Sequence, residues 1–118
     1  GLRELVRRSI KINLGARDGK NYIISCMSKQ PQITRARSLE YEEIFKGELY
    51  FLDLKTAVLK QWDRFKFVFN EDKTRFSEFL DAANKFRSDA HAKTITKEQF
   101  RNVMPKLVWL TKCLQENG

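Results

Sequence analysis

The series Phe51, Leu54, Val58, Trp62, Phe65 and Phe69 steps by three or four residues throughout. That spacing puts every apolar side chain on one face of an α-helix and is incompatible with the two-residue alternation of a half-buried strand. The reading is one central helix of about 28 Å, packing the rest of the chain around it. Its aromatic stripe reads as core rather than as a platform for stacking bases.

The same period recurs along most of the 118 residues. Leu2, Leu5, Val6, Ile10 and Leu14 form one stripe while Arg3, Arg7 and Lys11 form another, and Gly15 offers a stop. Residues 16–46 read as helix, loop, helix: Tyr22-Ile23-Ile24 is open between a short strand and a helical turn. Ser28 to Thr34, with Pro31, reads as a loop, and a helix is expected near residues 35–45. Asn70-Glu71-Asp72 supplies a cap and early acids for a helix that turns Phe76, Phe79, Leu80, Ala83 and Phe86 inward. Thr96 and Gln99 form a capping-box pair for a last helix carrying Phe100, Val103, Met104, Leu107, Leu110 and Leu114. Pro105 lies inside that pattern and should kink it. The expectation is an all-α bundle of about five helices with a kinked C-terminal helix, forming a single domain over residues 1–118. The start at Gly1 suggests a domain excised from a longer protein.

Charge narrows the partners. The formal net charge is +8, and residues 1–37 hold nine Lys/Arg against two acids, so they carry +7 of it. Arg3, Arg7, Arg8 and Lys11 therefore stand as candidate nucleic-acid contacts, the alternative being solvated helix faces that serve solubility. Cys26 and Cys113 have neither disulfide nor metal spacing. With no apolar run fit to cross a membrane and no signal peptide, a cytoplasmic setting is expected.

No Gly-rich phosphate loop, zinc-ligand set or carboxylate cluster is present, so no metal or cofactor is expected. What remains is the run from Asn84 to Ala92, which holds the only histidine, His91, and sets Arg87 one helical turn before it. On a helix the two share a face, about 5–6 Å apart at Cβ. An arginine fork holds phosphate, and a histidine moves protons near neutral pH. RNA carries its own nucleophile, so such a site needs only proton transfer and charge stabilisation. Asp89 is positioned to orient neighbouring groups. One histidine serves poorly as acid and base together, which argues for a homodimer with two copies at one cleft.

The run from Gly47 to Lys55, then Gln61-Trp62-Asp63-Arg64-Phe65, Phe69, Phe76, Leu80 and the segment Phe86-Arg87-Ser88-Asp89-Ala90-His91 resembles a HEPN domain (higher eukaryotes and prokaryotes nucleotide-binding). The branch is the one at the end of a nuclear transcript-surveillance endoribonuclease and in prokaryotic defence proteins. The likeness covers residues 47–115, and the amino-terminal part only through Leu2-Arg3-Glu4-Leu5. It implies an all-α bundle, commonly dimeric, in which the Arg and His of two protomers line a cleft that cleaves RNA without metal. In other members the domain binds nucleic acid or protein. Carried over, Arg87 grips the phosphate of single-stranded RNA and His91 acts in proton transfer or orientation. Active members place four to six residues between the two, with a polar residue after the arginine; here three intervene, and Ser88 and Asp89 stand in the polar position. Three readings stay open: a metal-independent endoribonuclease, a non-catalytic dimerisation or interaction module of a larger intracellular defence or RNA-processing protein, and a purely structural helical bundle whose basic face serves solubility.

Overall fold

Helical spacing in the sequence becomes helix in the structure, with no strand anywhere in the chain. The computed structural model describes residues 1–118, and they divide into two compact units, residues 1–61 and 62–118.

In the first unit α1 (Leu2–Ser25) packs on α2 (Gln30–Arg37), α3 (Tyr41–Gly47) and α4 (Phe51–Lys60). Leu2, Leu5, Val6 and Ile10 are buried as their spacing requires. Gly15 interrupts α1 with φ 82° and ψ 171°, a conformation that side-chain-bearing residues avoid because Cβ clashes with the backbone. The kink returns the second arm toward α3. At Gly19 an added Cβ would lie 3.0 Å from Tyr41 Cε2 and 3.2 Å from Ile10 Cγ2, so the two arms and α3 meet closely there. Tyr22-Ile23-Ile24 is helical, and Tyr22 donates to the Ala57 carbonyl of α4 at 2.6 Å.

Two expectations are corrected in this unit. The loop foreseen over Ser28 to Thr34 is shorter, because α2 begins at Gln30 with Pro31 in its first turn, where a missing N–H costs nothing. The helix foreseen over residues 35–45 is two helices. Leu39 N and Ser38 N close turns onto Ala36 and Arg35, and Glu40 opens α3 with a reciprocal cap, its own N–H donating to Glu43 at 3.2 Å. A buried polar contact joins α2 to α4: Gln32 Nε2 donates to Asp53 Oδ2 at 2.7 Å and to the Glu48 carbonyl. Asp53 in turn accepts from Tyr50 N at 2.9 Å, which caps α4.

The second unit holds α5 (Trp62–Phe65), α6 (Lys73–Ala92) and α7 (Lys97–Asn117), with α6 against α7. The long helix expected over Phe51 to Phe69 is not continuous. It stops at Lys60, where Gln61 leaves the helical region (φ −125°, ψ 44°), and resumes as the single turn α5. Aromatic packing accounts for the path beyond α5. On a straight helix Trp62 and Phe69 would be separated by about 10 Å of rise. Their rings instead stack at 6.3 Å, with Phe76 5.7 Å from Trp62 and 4.4 Å from Phe69. The chain folds back through turns to Asn70 (φ 55°) and Glu71 (φ 57°), whose left-handed conformations end the segment. Phe65, Phe69 and Phe76 are buried by this arrangement.

Asp72 then caps α6, accepting from Arg75 N at 3.0 Å, while the early acids foreseen in its first turn are absent. Thr96 and Gln99 form the expected capping box of α7, which runs as one element through Pro105. The short connection makes the two helices antiparallel, with Phe79 edge-on to Trp109 at 5.5 Å. Phe100 departs from expectation: it is 51 % exposed rather than inward. At its level α6 is close to its end, and the ring of Phe86 is the apolar surface it offers.

Candidate functional site

The candidate site is built on the last two turns of α6. Phe76, Leu80 and Ala83 form the buried stripe of that helix. Arg87 and His91 continue the same stripe by two four-residue steps and are exposed. Helical geometry therefore brings the pair together on one face, as their spacing requires. His91 sits in the last turn of α6. Ser88 is exposed beside them.

Asp89 is placed elsewhere. It accepts from Lys85 Nζ at 3.1 Å and faces α7, lining a small groove of about 190 Å³ with Phe86, Gln99, Asn102 and Lys106. Arg87 and His91 stand outside that lining. The carboxylate expected to orient neighbouring groups thus serves an ion pair on a different face of the helix from Arg87 and His91. Lys85 four residues before Asp89 was the signal for this, since such pairs meet on a helix.

The amino-terminal cations divide unevenly. Arg3 donates from both terminal nitrogens to the Phe45 and Leu49 carbonyls, each at 3.1 Å, and so closes the C-terminal end of α3. Arg7 is held by Glu4 at 2.6 Å and by Glu42 at 3.3 Å, and Lys11 reaches the same Glu42 at 2.8 Å. These contacts lower the pKa of both carboxyls, Glu4 chiefly through its hydrogen bond from Arg7 and Glu42 through the one from Lys11, and raise that of Arg7. Nearby, burial pushes the Tyr41 hydroxyl up to about 12, and it donates to the Arg7 carbonyl at 2.6 Å. Further along, Lys20 donates to the Arg37 carbonyl at 2.9 Å and Arg35 pairs with Glu48 at 3.1 Å. Of the four cations singled out in the first helix, Arg8 is exposed with no hydrogen bond or ion pair inside its unit.

The residues around the α6–α7 connection behave differently. Residues 85–106 contain six Lys/Arg and two acids. One acid, Asp89, is matched by Lys85, while Lys97 and Arg101 form no ion pair within the unit. These last two, with Phe86, Ile95, Thr96 and Phe100, line an open groove of about 510 Å³. Sequence reading missed it because Phe100 fits the apolar period of α7, although cations at positions 97 and 101 bracket it on the same face.

Neither cysteine is activated. Cys26 and Cys113 are buried free thiols whose pKa values are raised, in both cases mainly by desolvation. No group of three His, Cys, Asp or Glu side chains assembles that could hold a metal ion, and no helix is long and apolar enough to cross a membrane. The chain matches no protein-family model, no curated protein and no solved structure.

Proposed function

We propose that this chain is an RNA-associated domain of the HEPN kind that holds the backbone of single-stranded RNA at Arg87 and His91. The observation that carries the reading is the exposure of both residues on one stripe of α6, one turn apart. An arginine fork beside an imidazole grips a phosphate and lends or accepts a proton next to it. Cleavage asks for more than one chain supplies here, because one histidine cannot be base and acid together and Asp89 is committed to Lys85. A homodimer that sets two Arg87/His91 faces around one phosphate provides the second proton-transfer group and completes a metal-independent endoribonuclease.

The non-catalytic reading is favoured by one observation: the pair lines neither the groove beside Asp89 nor the groove beside Phe100. Labelled single-stranded RNA incubated with the protein in excess chelator separates the two. Fragments ending in 2′,3′-cyclic phosphate, lost in both Arg87→Ala and His91→Ala, establish the nuclease. Retained binding without fragments, weakened in the same variants, establishes the binding module. Binding and cleavage that are both indifferent to the two substitutions remove the site.

A further inference from the structure

The groove at the start of α7 is not explained by packing. Phe100 is a large aromatic left 51 % exposed, three residues after Lys97 and one before Arg101, on the first exposed turns of the helix. Positions 97, 100 and 101 share a helix face, so the ring lies between two cations about one turn apart. Phe86 and Ile95 complete the apolar wall, and no acid is in the lining. The volume of about 510 Å³ lies within the range of roughly 300–1,000 Å³ common for small-molecule sites.

Thr96, the one uncharged polar side chain of the lining, is engaged in the cap of α7. Thr96 Oγ1 accepts from Gln99 N at 3.1 Å, and Gln99 Oε1 accepts from Thr96 N at 2.9 Å. A ligand therefore finds an aromatic face and two positive charges, with few hydrogen-bonding groups to read its edges. A cation–aromatic–cation sequence is complementary to a phosphate–base–phosphate repeat. An acidic peptide would satisfy the charges but would make no use of the ring.

We infer that this groove takes one unpaired base of single-stranded RNA, stacked on Phe100, with the flanking phosphates against Lys97 and Arg101. This rests on the RNA function proposed for the chain and adds to it a second contact that is independent of Arg87 and His91. Stacking without edge contacts makes the site tolerant of base identity.

The test is fluorescence anisotropy with a short fluorescein-labelled oligouridine, the same oligonucleotide made abasic, and a fluorescein-labelled polyglutamate peptide, all at one salt concentration. Phe100→Ala is expected to weaken oligouridine binding about tenfold, in keeping with the usual worth of one base on an aromatic ring. It should leave the abasic strand unaffected, and Phe100→Tyr should retain wild-type affinity. The exposure of Phe100 allows the variant to fold, which circular dichroism checks. Should Arg87→Ala weaken RNA binding while Phe100→Ala does not, the groove inference falls and the RNA reading stands. If the wild-type protein binds no RNA, both fall. Tighter binding of polyglutamate than of oligouridine, sensitive to Phe100→Ala, would make the groove a protein-docking site and overturn the inference.

Discussion

Residues 1–37 and residues 85–106 are both rich in cations, yet most of those in the first are engaged within the chain while Lys97 and Arg101 in the second stay out of ion pairs. In the first, Arg3, Arg7, Lys11, Lys20 and Arg35 reach carbonyls or carboxylates that lie 3 to 46 residues away, and so tie α1 and α2 to their neighbours. In the second, Lys97 and Arg101 flank an open groove and His91 ends an exposed stripe. Formal charge placed the phosphate-binding potential in residues 1–37. Contacts shift it toward the α6–α7 connection, because a cation already paired with a carboxylate attracts a phosphate far less than one facing water.

Removing Arg3 puts this contrast under the greatest strain. Its two charge-assisted bonds close α3, and truncation leaves the Phe45 and Leu49 carbonyls without that partner. Arg3→Ala should destabilise the protein by about 2 kcal/mol, the scale of hydrogen bonds made by a charged group, read as a lower midpoint in urea. RNA affinity, measured well below that midpoint, should not change. A variant with undiminished stability and weaker RNA binding would restore the amino-terminal helix as the nucleic-acid surface.

How much of the molecule was legible in its sequence depends on the range of the interactions involved. Gly15 as a stop, Asp72 as a cap, the Thr96/Gln99 box and the shared face of Arg87 and His91 all depend on residues within one turn of each other, and each is present in the structure. The turn after Phe65 was invisible because it comes from three rings at 62, 69 and 76 gathering in space. The pairing of Arg7 with Glu42 was hidden for the same reason, since 35 residues separate them. Phe100 shows the reverse problem. Its period was correct, but periodicity says which face of a helix a residue occupies and not whether anything covers that face.

A weaker effect refines the contrast between the two regions within one measurement. Each phosphate contact to a single strand steepens the fall of log affinity with log salt by about 0.7. Arg101→Gln should flatten the slope by about that amount, whereas Arg7→Gln should leave it unchanged, its charge being shared with Glu4 and Glu42. Arg8, the unpaired member of the first helix, is the internal control. A slope altered by Arg8→Gln but not by Arg101→Gln would move the RNA path to α1.

Acid should produce the mildest change. Glu4 and Glu42 have folded-state pKa values below the usual 4.5, so the folded protein holds these protons less tightly than the unfolded chain does. Their stabilising contribution is full above pH 4.5 and is lost as the pH falls through the lowered folded values. Both carboxyls are well exposed and their pairs are screened by salt, so the loss should be modest. Unfolding midpoints measured between neutrality and the acid range should fall with pH, and Glu42→Gln should flatten that dependence by removing the acceptor that Arg7 and Lys11 share. A pH dependence unchanged in Glu42→Gln would mean that the cations of α1 are solvated rather than spent on the fold, and the contrast between the two regions would lose its physical basis.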